Sequence, residues 1–182
     1  MVRGATVFLA SMLMTSSLAL AETGRTNLQV FRDVSSAVNH YTQFTIFDNL
    51  DIAVKSGTVT LQGDVTMPYK RNDIERLVSR VDGVRHVKNE IRVLPASMYD
   101  DQLRYRIARS FYTNPNLVNY ERGVTPSIHI VVDRGHVKLT GVVNSAADRR
   151  LASLVANQFP AYSVTNDLKT EAEVRRSLEQ LD

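Results

Sequence analysis

The stretch VKSGTVTLQGDV (Val54–Val65) decides how this chain is read. It returns 78 positions later as VDRGHVKLTGVV (Val132–Val143), with Val, Gly, Val, Leu, Gly and Val in the same places. Each copy reads as one strand, an X-Gly pair and a second, alternating strand. The pairs are Ser56-Gly57 and Arg134-Gly135. Glycine at the second place of a two-residue loop suits a type I′ hairpin, whose central residues need φ > 0. Past the turn, Val59, Leu61 and Val65 share one face, as do Val137, Leu139 and Val143. Gly63 and Gly141 hold the remaining inward position, where something must pass close to the sheet.

Working outward, apolar residues at Val30, Val34, Ala37, Val38 and Tyr41 have helical spacing with one buried stripe. Phe44-Thr45-Ile46-Phe47 is an aromatic connection with no clear period. Leu50, Ile52 and Val54 alternate into the first turn. After Val65, Thr66 is expected as an N-cap, with Pro68 in the first turn of a helix that carries Ile74, Leu77, Val78 and Val81. Asp82-Gly83 ends it, and Val84 to Val93 is a third strand. The order then repeats. Leu103, Ile107 and Phe111 line a helix, and the loop from Asn114 to Pro126 is longer than its counterpart. Ile128, Ile130 and Val132 lead into the second turn, and Asn144 is expected to cap a helix with Leu151, Leu154 and Val155 inward. Residues 163–170 close the unit. VKNEI (Val87–Ile91) is echoed by VTNDL (Val164–Leu168) at an offset of 77, so one residue is lost in or beside that helix.

Each unit is therefore α-β-β-α-β, an α+β fold. The hairpin is antiparallel and the strand–helix–strand crossover is parallel, which gives a small mixed three-stranded sheet with two helices on one face. The expected layout is a leader at 1–21, units at 22–95 and 98–170, and a tail at 171–182. In the tail, Val174, Leu178 and Leu181 have helical spacing. Units of about this size are marginal as independent cores, so mutual packing would help both.

Arg3, the apolar run from Ala5 to Leu18, and Ala19-Leu20-Ala21 before Glu22 read as a cleavable signal peptide, with an uncleaved membrane anchor as the alternative. The implied location is the periplasm or the outside of the cell. With no cysteine there is no lipobox, disulfide framework, thiolate metal site or cysteine nucleophile. A formal net charge of +3 is too small for a nucleic-acid binder with a concentrated basic face.

Helix, hairpin, helix and then G-V-x-x-V-x-N-x-I resembles the BON domain, named for bacterial osmotically inducible and nodulation proteins. Gly57, Val59, Leu61, Gly63, Val65, Gly83, Val84, Val87, Asn89 and Ile91 carry the resemblance in the first unit. Gly135, Val137, Leu139, Gly141, Val143, Val164, Asn166 and Leu168 carry it in the second. Pro160 replaces the helix-ending glycine there and puts the regularity of that helix end in question. The chain is also similar to secreted proteins with two BON domains. The resemblance implies a non-enzymatic module that binds phospholipid surfaces or envelope partners.

Nothing in the residues themselves argues for catalysis, a cofactor or a metal. There is no G-x-S-x-G, phosphate-cradling glycine loop or H-E-x-x-H. His129 and His136 flank the second turn, but about four strand positions, roughly 13 Å, separate them. They are read as open-face histidines. Asp48, Asp51 and Asp100-Asp101 are read as capping or solvated carboxylates. Asn89 and Asn166 are expected to bond to a neighbouring loop.

One surface stands out. At ~100° per residue, Leu103, Ile107 and Phe111 centre on one side of their helix, and Tyr105, Arg109 and Tyr112 fall opposite, with Arg106 at the edge. Tyrosine rings suit a headgroup boundary and guanidinium groups pair with phosphate, so this face is the candidate for anionic phospholipid. The alternatives are that this face packs on the first unit or a partner, or is simply solvated, and that the chain is a periplasmic structural or interaction protein binding another envelope protein or cell-wall material. The first unit has Ser35, Ser36 and Asn39 on its equivalent helix.

Overall fold

The structure, a computed structural model, describes residues 25–121 and 127–179. The expected leader at 1–21 lies outside the described residues, as do Leu181 and its neighbours at 180 and 182. The first unit comprises α1 (Asn27–Asn39), β1 (Asn49–Lys55), β2 (Thr58–Val65), α2 (Pro68–Val78) and β3 (His86–Val93). The second comprises α3 (Met98–Thr113), α4 (Val118–Glu121), β4 (Ile128–Asp133), β5 (His136–Val143), α5 (Ala146–Ala156), β6 (Ser163–Asn166) and β7 (Lys169–Thr170). The tail begins as α6 (Glu171–Glu179).

Both hairpins turn as the sequence requires. Lys55 pairs with Thr58 and Asp133 with His136, leaving two-residue loops. Ser56, Gly57, Arg134 and Gly135 all have positive φ, between 48° and 78°, the signature of a type I′ turn. β2 pairs antiparallel with β1 and parallel with β3. β5 pairs in the same senses with β4 and β6. Val59, Leu61, Val65, Val137, Leu139 and Val143 are all buried. A Cβ on Gly63 would fall on the carbonyl oxygen of Asn49, and one on Gly141 on that of Ser127. What passes close to each glycine is the start of its own partner strand.

The details differ from the sequence reading at five places. α2 starts from Met67, not Thr66, with no side-chain cap, because the Thr66 hydroxyl is turned inward onto Asp48. α5 is capped by Ser145 rather than Asn144. That helix buries Ala152, Val155 and Ala156 and leaves Leu154 exposed; small residues let it lie close to the sheet, and the apolar stripe shifts accordingly. The closing strand of the second unit breaks at Asp167-Leu168. The Asp167 amide bonds to Leu139, the Leu168 amide to the Asn166 side chain, and β7 resumes beside β5. Finally, α2 and α5 have equal length and end on αR caps, Ser79 and Asn157. Pro160 therefore leaves the helix end regular, and the lost residue lies in the connection after it.

The helix-backed face of each sheet holds its core. In the first unit Val30, Val34 and Val38 meet Leu61, Ile74 and Ile91. In the second Leu103, Ile107 and Phe111 meet Ile130, Leu139 and Ala152. Each fully buried Leu, Ile or Phe contributes about 1.5–3 kcal/mol. Leu117 and Tyr120, in the longer loop and α4, also enter the second core.

Asn89 and Asn166 hold the third strand to a helix rather than to a loop. Their amide nitrogens donate to Arg71 O at 3.2 Å and Arg149 O at 2.8 Å, while their oxygens accept the amides of Ile91 and Leu168.

Candidate functional site

The aromatic connection without a period joins the two units. Ile46 belongs to the buried core of the second unit, with Phe47 packed against it. Ile130 donates its amide to Ile46 O at 2.7 Å. Arg104, also buried, donates to Val132 O. Between them these groups satisfy outward backbone groups of β4, which would otherwise be a bare sheet edge. Phe44 lies 5.5 Å from the His129 ring, and Thr140 donates to Asn49 at 2.9 Å across the same boundary. His129 is thus partly covered by the first unit, contrary to the open-face reading; His136 is exposed.

Asp48 anchors that connection. It is fully buried, which corrects the capping-or-solvation reading. Its Oδ1 accepts the Thr66 amide and hydroxyl at 2.8 and 2.9 Å. Its Oδ2 accepts the Thr45 amide and hydroxyl, both at 2.8 Å, and Lys70 Nζ at 2.7 Å. Lys70 is buried as well. In the second unit, Asp148 stands in the place of Lys70 and accepts from Tyr120 at 2.9 Å. Burial, with Asp148 beside it, pushes the Tyr120 phenol up from its usual range. Asp100 is also buried, with both oxygens on the second turn, from Arg134 N–H at 2.9 Å and Gly135 N–H at 2.8 Å. Asp51 and Asp101 are exposed.

Ile46 should therefore matter to a unit it does not belong to. Ile46→Ala is expected to lose about 2–4 kcal/mol. Hydrogen exchange should quicken at the amides of β4 and β5 as well as β1. Faster exchange confined to the first unit would contradict this reading of the connection.

The candidate lipid face lies on α3. Tyr105 is 66% exposed and Tyr112 46%. Arg106 and Arg109 are exposed too. The Arg106 guanidinium sits 5.4 Å above the Phe159 ring. Tyr105 meets Phe47 edge-on at 5.3 Å, so one ring of this face also touches the connection from the first unit. Met98, which sequence reasoning did not single out, is 80% exposed and lies two turns before Tyr105 on the same flank. Gly57 and Gly135 turn the two hairpins, and Gly63 and Gly141 lie where each partner strand passes closest.

Between the units runs a cleft of about 990 Å³, lined among others by Phe31, Val38, Phe44, Ile52, Lys138 and Arg149. Lys138 pairs with Asp167 at 3.7 Å and Arg149 with Glu173 at 3.1 Å. The Thr170 backbone amide, more than any other group, holds the Glu173 carboxyl below its usual range. The walls thus carry both signs, already paired. Among the described residues, no group of three or more His, Cys, Asp or Glu is arranged to hold a metal ion. Nor is any described helix long and apolar enough to cross a membrane.

Two tandem units, each a mixed sheet backed by two helices, joined through a buried connection and exposing an aromatic and basic helix flank, define a double α+β binding module. The chain belongs to the BON domain family, whose model matches residues 33–95 and 100–172. BON domains are a non-enzymatic type of binding domain associated with the bacterial envelope. No curated protein sequence matches the chain. Solved structures similar to it include two of CdsD. One is the C-terminal domain of CdsD, the structural protein of the type III secretion system of Chlamydia trachomatis, at 14% identity and a TM-score of 0.33, covering 79% of this chain and 66% of that one. The other is a second structure of CdsD, at 12% identity and a TM-score of 0.30, covering 83% and 97%.

Proposed function

We propose that this protein is an envelope binding module that docks on anionic phospholipid surfaces through its second unit. The observation that carries this reading is the exposure of Tyr105 and Tyr112 beside Arg109 on one flank of α3. No carboxylate falls between positions 105 and 112. The leader-like segment at residues 1–21 supports a periplasmic or secreted location. Its removal takes Arg3 with it and lowers the formal net charge of +3 by one. So small a charge cannot hold the protein alone, since each basic residue near an anionic surface contributes only ~1 kcal/mol. The rings must add apolar burial, and the sum is weak, reversible and salt-sensitive over a Debye length of ~8 Å.

The variant Arg106→Glu with Arg109→Glu is expected to abolish binding to vesicles containing phosphatidylglycerol. Its stability should fall by no more than about 1 kcal/mol, the value of the contact with Phe159. Tyr105→Ser with Tyr112→Ser should weaken binding at every salt concentration. Vesicle binding by the Glu variant equal to the parent's would remove this flank from the membrane. The Phe47–Tyr105 contact favours a second reading, an interaction protein whose α3 flank packs on protein. If the Ser variant melts far below the parent, beyond the about 0.5–1.5 kcal/mol of one aromatic pair, that reading moves ahead.

A further inference from the structure

The two units treat the same sheet edge differently. On β4 the outward backbone groups have partners, since Ile130 N–H donates to Ile46 O at 2.7 Å and Val132 O accepts from Arg104. The same places on β1, 78 positions earlier, are Ile52 N–H and Val54 O. The hairpin registers agree, with Ile52 opposite Leu61 as Ile130 is opposite Leu139. These groups therefore point away from β2, the strand that β1 pairs with. Neither cap of β4 has a counterpart here. Asn27 accepts the Ser56 amide as Asp100 accepts the Arg134 amide, which aligns the two helices at an offset of 73. At that offset Phe31, whose side chain has no donor, stands where Arg104 stands. Burial shows the same contrast. Ile128, Ile130 and Val132 are fully buried, whereas Leu50, Ile52 and Val54 are only half-buried.

The cleft between the units opens on this bare edge. Phe31 and Val38 of α1 line it with Leu50 and Ile52, which face the helices, and with Asp51 from the other face of β1. The cleft also continues the contact between the units, because Phe44, His129, Asn49 and Thr140 belong to both. An unpaired edge with apolar side chains is a template for another strand. The charged lining balances, with Lys138, Arg149 and Lys169 against Asp51, Asp167 and Glu173. It therefore favours an occupant without net charge.

We propose that the outer edge of β1 docks an extended, uncharged, apolar segment of a partner protein, which joins the first sheet as a fourth strand. A peptide backbone carries both the acceptor and the donor that Ile46 and Arg104 supply on the other sheet. Alternate side chains of the segment lie against Phe31 and Ile52. The second sheet forms the opposite wall through Lys138 and Thr140, which suits a single segment rather than the edge of a folded domain. This site uses no residue of the α3 flank, so it stands or falls apart from the lipid reading.

The test is an NMR titration of the protein with the end-blocked hexapeptide TVTITV, which is uncharged and rich in strand-forming residues. The amide resonances of Leu50, Ile52 and Val54 are expected to shift, and those of β3 to stay. With the peptide at about ten times its Kd, exchange of the Ile52 amide with water should slow about ten-fold by mass action. Phe31→Arg gives the first unit the guanidinium that Arg104 gives the second. It should weaken peptide binding about ten-fold by occupying Val54 O, without lowering the melting temperature. The hexapeptide TVPIPV, which lacks two donors, should leave the β1 resonances in place whatever the variant does. Equal binding of TVTITV and TVPIPV, or shifts confined to β3, would overturn the proposal. So would β1 shifts that grow with protein concentration alone, which would make the occupant a second copy of this chain. Shifts of β1 with phosphatidylglycerol vesicles but not with the peptide would overturn it as well.

Discussion

Lys70→Met is expected to destabilise the protein by about 3–5 kcal/mol, because it leaves the Asp48 carboxylate buried without its cation. Lys70 and Asp48 side chains are 4% and 0% exposed, and they meet at 2.7 Å. The four bonds from Thr45 and Thr66 remain, but none brings a positive charge. A loss of this size should lower the melting temperature by on the order of 10 °C. The effect should spread beyond the first unit, since Asp48 follows Ile46 and Phe47 directly and fixes the connection that enters the second core. Lys88→Met is the control. Lys88 pairs with Glu90 at 2.5 Å but is 63% exposed, and exposed pairs contribute under about 1 kcal/mol. Equal melting temperatures for the two variants would refute the structural role given to Lys70.

Gly141→Ala is expected to cost about as much, for a steric reason. Gly141 has φ of 115°, where L side chains are strained, and its Cβ would fall on Ser127 O and near the Ser127 carbonyl carbon and Ile128 Cα. These are backbone atoms of the paired strand, which cannot rotate away as a side chain can. Relief requires β4 to part from β5 at Ile128, a fully buried residue. Overpacking of 1–3 kcal/mol and backbone strain of 1–3 kcal/mol add to roughly 2–6 kcal/mol. Chemical denaturation should show the lowered midpoint. A midpoint within error of the parent would mean that β4 and β5 are not paired in this register.

The parts of the fold that follow from local rules are legible in the chain. Gly57 and Gly135 announce the turns, since few other residues take positive φ there. The alternation past each turn fixes the buried face, and the helical period of Leu103, Ile107 and Phe111 fixes the opposite, exposed flank. Side chains whose role depends on distant partners are not legible. Asp48 and Lys70 are 22 positions apart, and no spacing rule links them. The second copy has Pro126 and Asp148 at the equivalent places, so the internal repeat hides the pair. Phe44 to Phe47 shows no period because Phe44 packs on its own unit while Ile46 and Phe47 turn into the core of the other. Leu154 misleads because alanines, weak signals of burial, carry the contact of α5. Thr66 looks like a cap until Asp48 claims its hydroxyl. On the candidate site, the sequence placed Tyr105, Arg109 and Tyr112 on one flank but passed over Met98, which stands at the first position of its helix, where periodicity says nothing.

Co-sedimentation of the protein lacking residues 1–21 with vesicles tests the central claim most directly. Vesicles of pure phosphatidylcholine are compared with vesicles that also contain phosphatidylglycerol, each at low and at physiological salt. Binding is predicted only with phosphatidylglycerol present, and less of it at the higher salt. Protein that stays in the supernatant under all four conditions, or that pellets equally with neutral and anionic vesicles, would contradict the account.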